Sequence, residues 1–354
     1  MTLQTPDAGG LSADRVSEEM LTHLRADPDL RSSSFAELPR RLLGGFETLI
    51  FSFRLMNVPA ELSGQLVVRV FAEPGGVNQA RKEAAFQNAL SSAGYLAPRI
   101  VVPGGERLIG GRAFNVMERV SGHSLMEALF GDIGSAPRIA GLLAQTHADL
   151  HAVPAAGVER SLREAGIVLN ESTLGGRLRY LQRFVEDTHL SYLEPGVSWM
   201  LRNQPVERSE QSVCHGDFHP GNVMVDGDRV TGVLDWAGAQ LSDPEHDVAV
   251  SLVLVAVGAP MLVESVPAAA FEAFAGEYLA AYEKRRPLDP DRLSYYRAYR
   301  VLRAFLRGTA SRTPGVAQEL LPRDNYPWSA EGALRRLADL FQDITGVELP
   351  VRAA

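Results

Sequence analysis

The chain has 354 residues, 45% of them hydrophobic and 22% charged, with a net charge of −8. That balance excludes a disordered polyampholyte and, with no G-X-Y period, a collagen-like fibre, and the acidity argues against a nucleic-acid-binding protein. A single cysteine, Cys214, excludes an internal disulfide and a CxxC metal site.

The length suggests two domains. Residues 1–11 are polar and Gly-rich, with no basic stretch ahead of an apolar one, so no secretory leader is predicted. Ser12 reads as the N-cap of a helix reaching about Leu24, with Val16, Met20, Leu21 and Leu24 at helical spacing. From Ser34 to about Val120 the pattern is strand, strand, helix, strand, strand. Residues 47–58 and 65–72 are rich in apolar, aromatic and β-branched residues, and residues 79–94 end on Gly94 as a helix would. After Gly122, Ala and Leu recur at helical spacing, interrupted only by a short strand-and-loop insert at 213–236. The apolar run at 247–264 is broken by Ser251, Gly258 and Pro260 and reads as a buried helix rather than a membrane span, so a cytoplasmic protein is expected.

The chemistry concentrates in that insert. It reads His215-Gly216-Asp217, then Asn222 five residues on, then Asp235 thirteen further. Mg²⁺ prefers a few side-chain oxygens together with substrate phosphates, and Asn222 and Asp235 supply such oxygens. Asp217 remains as a carboxylate able to accept a hydroxyl proton and aim that oxygen at a γ-phosphate.

His215-Gly216-Asp217 with Asn222 and Asp235-Trp236 resembles the aminoglycoside phosphotransferase and choline-kinase-like family, small-molecule kinases with a protein-kinase-like fold. The resemblance implies a two-lobed α+β protein. Residues 1–34 would be an extension with one helix. Residues 35–120 would form a nucleotide-covering antiparallel sheet plus one helix, and 121–354 a helical lobe with the catalytic loop and acceptor pocket. It implies Asp217 as catalytic base and Asn222 and Asp235 as Mg²⁺ ligands. Gly44, Gly45 and Thr48 fall where the family has its glycine-rich phosphate-covering loop. Arg69 stands where kinases carry a phosphate-binding lysine, with Glu83 as its ion-pair partner. Backbone groups at Glu118 and Val120 would meet the adenine edge of ATP, with GTP the alternative nucleotide. The implied partner is a small-molecule alcohol, with neither nucleic acid nor membrane, and the oligomeric state stays open. The competing readings are a nucleotide-binding pseudoenzyme or regulatory module, and a kinase of an anionic acceptor such as a hydroxyacyl-CoA.

Several residues carry two readings. His147 and His151 lie at i, i+4 on a helix, but no Glu follows the first, so the HExxH zinc pattern is missing and structural histidines are expected. Cys214 ends an apolar strand and reads as a small buried residue. Asp247, in a Ser242-Asp243-Pro244 context, is expected to cap the following helix. Residues 210–260 hold eight acids against one base, which suits a Mg²⁺ site, whereas 281–312 hold nine bases against three acids. There Arg297, Arg300, Arg303 and Arg307 fall within about 120° of one another on a helix. Such a stripe is either a solvated face paired with acids or a wall for an acceptor bearing carboxylate, phosphate or a coenzyme A tail.

Overall fold

The structure is a computed structural model. It describes the chain apart from residues 1–10, 43–47, 75, 169–172, 264–265, 314–315, 317–326 and 353–354. The chain has a two-lobed protein-kinase-like α+β fold and divides into two compact units, one of 1–122, 156–168 and 224–237, the other of 123–155, 169–223 and 238–354.

The first unit opens with helix α1 (Ala13–Arg25), whose N-cap Ser12 accepts from the Arg15 amide. Strands β1 (Ser34–Arg41), β2 (Thr48–Met56), β3 (Gln65–Pro74), β4 (Ile100–Ile109) and β5 (Arg112–Glu118) form one antiparallel sheet in the order β1-β2-β3-β5-β4. Helix α2 (Val77–Ser92) follows β3. The sequence pattern gave four strands here and missed β1. Its SFAELPRR segment, interrupted by Pro39 and broken by two register shifts against β2, lacks the apolar alternation of a strand with one buried face.

Alternation along β2 and β3 decides what faces where. Leu49, Phe51, Phe53 and Leu55 of β2 and Leu66, Val68 and Val70 of β3 share a core with Val16, Met20 and Leu24 of α1. The intervening β3 residues Val67, Arg69 and Phe71 therefore point the other way, and Val67 and Phe71 pack with Ala84 and Ala80 of α2. Arg69 lies on a central strand, only 6% exposed, and not on an edge.

Helix α5 (Ala155–Glu164) and the paired strands β8 (Val223–Asp226) and β9 (Arg229–Val233) complete this unit. Between β5 and β8 the chain includes the two-residue strand β6 (His123–Ser124) and helices α3 (Leu125–Gly131), α4 (Ala136–Ala152), α6 (Leu174–Asp187) and α7 (Glu194–Arg202) of the second unit. That unit also holds β7 (Ser212–Cys214) paired with β10 (Gln240–Ser242), and helices α8 (Pro244–Val253), α9 (Ala259–Leu262), α10 (Ala268–Glu283), α11 (Pro290–Ala310) and α12 (Glu331–Thr345).

Every residue of α8 is buried, Glu245, His246 and Asp247 among them, and a π-helical turn at Leu254–Gly258 joins it to α9. Among the described residues no helix is long and apolar enough to cross a membrane.

Candidate active site

The loop after β7 is held by its glycine and by one buried aspartate. Gly216 has φ of 81°, and a Cβ there would meet the Gly238 carbonyl oxygen at 2.3 Å, so only glycine fits. Asp247, fully buried in α8, accepts from the backbone N–H of His215 at 2.5 Å and of Gly216 at 2.7 Å. Its Oδ2 also faces His147 Nε2 at 3.0 Å and His151 Nε2 at 3.3 Å. The opposite ring nitrogens meet Tyr278 and Tyr282 hydroxyls, each at 2.6 Å. Both tyrosines can donate to Nδ1, which leaves Nε2–H on each imidazole to donate to the carboxylate.

Asp247 therefore does not cap α8, contrary to the sequence expectation. Asp243 occupies the N-cap position, and Asp247 has its oxygens turned to the loop and the two histidines. The histidines are held in a closed hydrogen-bond network, with Phe218 stacked on His147 at 3.9 Å between ring centres. Cys214 is fully buried beside this network, and burial pushes its thiol well up.

Within the loop, Asn222 donates from Nδ2 to the Asp217 carbonyl at 2.9 Å, leaving its Oδ1 as an oxygen donor. The Asp217 carboxylate is 41% exposed, and its Oδ2 lies 3.7 Å from His219 Nε2. His219 Nδ1 accepts the Gly221 N–H at 3.1 Å, so the neutral ring carries its hydrogen on Nε2, toward Asp217. Desolvation alone would raise the Asp217 pKa. The His219 hydrogen bond and the charges of His219, Arg300 and His215 outweigh it and bring the carboxyl down to about 2.

In the other unit, Arg69 is a hub. Its Nη1 donates to Glu83 at 2.6 Å, its Nη2 to Asp235 Oδ1 at 2.8 Å and its Nε to Thr48 Oγ1 at 3.2 Å. Burial pushes Glu83 up to about 7, with Asp235 adding repulsion and Arg69 opposing both. Asp235 has a left-handed φ of 64°, a conformation unfavourable for a non-glycine residue and common at functional sites. The fully buried Trp236 next to it donates Nε1–H to the Val233 carbonyl at 2.8 Å and meets Tyr95 edge-on. Glu118 ends β5, its N–H bonded to the Arg99 carbonyl, and Val120 packs against Gly232. Gly44 and Gly45 lie outside the described residues.

The structure brings Asp217 and Asn222 into one loop, and Arg69, Thr48, Glu83 and Asp235 into one cluster, of which the sequence reading had paired only Arg69 with Glu83. The sequence reading missed His219 as a neighbour of Asp217, Asp247 as the loop's anchor, and the approach of Arg300 to Asp217. The repeated His in HGDFH, two residues after the aspartate, was the available signal for His219. Nothing in the local sequence signals the other two, which join α8 and α11 to a loop 30 to 83 residues earlier.

Residues 52–305 match the sequence profile of the phosphotransferase enzyme family, and the chain belongs to that family. It is a small-molecule kinase by membership and fold. Among solved structures, one from Ralstonia eutropha, provisionally described as an aminoglycoside phosphotransferase, shares 18% identity and a TM-score of 0.62 over 93% of this chain and 98% of that one. A thermostable mutant of aminoglycoside phosphotransferase APH(4)-Ia, in complex with ADP and hygromycin B, shares 15% identity and a TM-score of 0.58 over 94% and 98%. Acyl-CoA dehydrogenase family member 11 of Gallus gallus is 28% identical over 176 residues, 46% of this chain and 21% of that protein. The chain thus spans only about a fifth of the curated relatives it matches.

Burial holds His147 at about 4, with the charge of His151 adding to the effect and Asp247 opposing it. An imidazole near 6.5 when unfolded and near 4 when folded stabilises the protein fully above pH 6.5 and loses that contribution as pH falls toward 4. His147→Gln keeps a donor for Asp247 and removes the titration. The stability of the wild type relative to this variant is expected to fall by about 3 kcal/mol between pH 7 and pH 4. Urea unfolding at several pH values checks this, and a difference independent of pH would contradict it.

Proposed function

We propose that the chain moves the γ-phosphoryl group of ATP, with Mg²⁺, to a hydroxyl of a small molecule. The observation that carries this reading is the half-exposed, ionised Asp217 on a loop pinned through Asp247. Asp217 accepts the acceptor's O–H hydrogen bond and aims the oxygen. As that oxygen bonds to the γ-phosphorus, the bond to the β-phosphate oxygen breaks, ADP departs with the electron pair, and the hydroxyl proton passes to Asp217.

Asn222 Oδ1 and the Asp235 carboxylate are hard oxygen donors of the kind Mg²⁺ selects, and each retains an oxygen not used by the Asn222–Asp217 and Arg69–Asp235 bonds. These two residues would hold Mg²⁺, which neutralises phosphate charge when bound. Arg69, fixed by Glu83 and Thr48, steers phosphate oxygens. The Glu118 carbonyl and the Val120 N–H meet the adenine edge. A neighbour in fold binds ADP and another, APH(2")-IIIa, binds GDP with kanamycin, so either purine is a reasonable probe.

Calorimetric titration with ATP and GTP, with and without Mg²⁺, tests the nucleotide half of this reading. The wild type should bind one of them in a Mg²⁺-dependent way, and Asp235→Asn should lose most of that dependence. Absence of nucleotide binding would remove the reading. Relatives named acyl-CoA dehydrogenase family member 11 make a hydroxyl-bearing acyl thioester one acceptor to include among the alcohols tested.

A further inference from the structure

The arginine stripe of α11 is not a solvated face. Arg300 is 9% exposed, and Arg297, Arg303 and Arg307 are half-buried. Arg297 and Arg303 make no ion pair or hydrogen bond among the described residues, and the Arg297 Nε is buried without a partner.

Arg177, on α6 of the same unit, adds a fifth guanidinium. Its Nη1 and Nη2 donate only to neutral groups, Gln240 at 2.8 Å and Ser242 at 2.9 Å, and its Nε is buried without a partner. It lies 6.0 Å from the centre of the Tyr299 ring. The same tyrosine meets His246, 4% exposed, with ring centres 5.9 Å from Tyr299 and 5.4 Å from Tyr296. His246 Nδ1 is buried and has no hydrogen-bond partner. Burial above all disfavours its protonation, with Arg177, Arg303 and Arg300 adding repulsion and Asp247 opposing them, so the ring is neutral and can donate from Nδ1. Arg300 also acts on Asp217.

The carboxylates of α8 and its N-cap are committed elsewhere. Asp243 takes Arg292 at 2.7 Å and Tyr296 at 2.8 Å, Glu245 takes Arg208 at 2.9 and 3.0 Å, and Asp247 takes the loop and the histidines. A half-buried cation without a counter-charge is costly, and a bound anion removes that cost for Arg177 and Arg303. Arginine's planar fork is suited to phosphate and carboxylate oxygens.

We propose that Arg177 and Arg303, with His246 Nδ1, form a binding site for an oxyanion, phosphate or carboxylate, carried by the acceptor. The proposal deepens the kinase reading, since it names the acceptor class for the hydroxyl that Asp217 orients. It sets this chain apart from a kinase of polycationic acceptors, which these arginines would repel.

The test has two arms. Protein saturated with Mg–AMP-PNP, so that nucleotide-phosphate contacts are filled, is titrated calorimetrically with inorganic phosphate and with succinate. Saturable binding is expected, weakened at least tenfold in Arg177→Gln and Arg303→Gln and unchanged in Arg179→Gln, which alters an exposed arginine of the same helix. No saturable binding, or equal weakening in Arg179→Gln, would overturn the proposal. In the second arm, ADP release is measured with hydroxy acids and hydroxyacyl-CoA esters against the matching amides and pantetheine thioesters. The anionic member of each pair should have the lower KM, and Arg303→Gln should raise that KM with kcat retained. Anion binding with no turnover of any alcohol would support the site and remove the kinase reading. Turnover of neutral alcohols without anion binding would do the opposite.

Discussion

Asp217→Asn should lower kcat at least a hundredfold, the lower end of what a positioned acid–base group contributes, and leave the unfolding midpoint nearly unchanged. The carboxylate is 41% exposed, and its nearest side-chain contacts, His219 Nε2 at 3.7 Å and Asn222 Nδ2 at 3.5 Å, are long. Exposed pairs of that kind add less than about 1 kcal/mol. The Asn222 bond to the Asp217 carbonyl, at 2.9 Å, survives the substitution, so the loop keeps its shape. Asparagine offers an amide in place of one carboxylate oxygen and cannot take up the hydroxyl proton. Steady-state kinetics beside chemical unfolding checks both halves. Retained kcat would remove Asp217 from the chemistry, and a large loss of stability would mean that it is part of the scaffold.

Asp247→Ala should show the opposite pattern, with stability and activity lost together. One buried carboxylate satisfies two backbone N–H groups and two imidazoles. Removing it leaves those donors buried and unpaired and should cost about 3–5 kcal/mol, as when one partner of a buried charged network is deleted. Urea unfolding reads this directly. Should the alanine variant fail to fold, His147→Gln and His151→Gln, which retain a donor to Asp247, should fold and keep most of the turnover. A stable Asp247→Ala variant would show that the loop is held some other way.

The two predictions separate what was legible in the sequence from what was not. The candidate loop was legible because His215, Gly216, Asp217 and Asn222 fall within eight residues. The α1 helix and the β2 and β3 strands followed from apolar periodicity, and the pairing of Arg69 with Glu83 from the family resemblance. Strand β1 was missed because Pro39 and two register shifts erase its alternation. The role of Asp247 was misread because an aspartate in the first turn of a helix is locally indistinguishable from a capping residue. Only tertiary packing turns its oxygens toward His215 and Gly216. The arginines of α11 were visible as a stripe, but their burial depends on what α6 and α8 bring against them, which periodicity does not encode.

Acceptor-dependent ADP release with Mg–ATP tests the central claim most directly. The panel should hold aminoglycosides, macrolides, amino alcohols, sugars, hydroxy acids and hydroxyacyl-CoA esters, each run with Asp217→Asn in parallel. At least one alcohol, and among them an anionic one, should release ADP in step with its own phosphorylation, and the signal should vanish in the variant. A protein that binds Mg–ATP yet phosphorylates none of them, or one whose ADP release is indifferent to Asp217, would contradict the account.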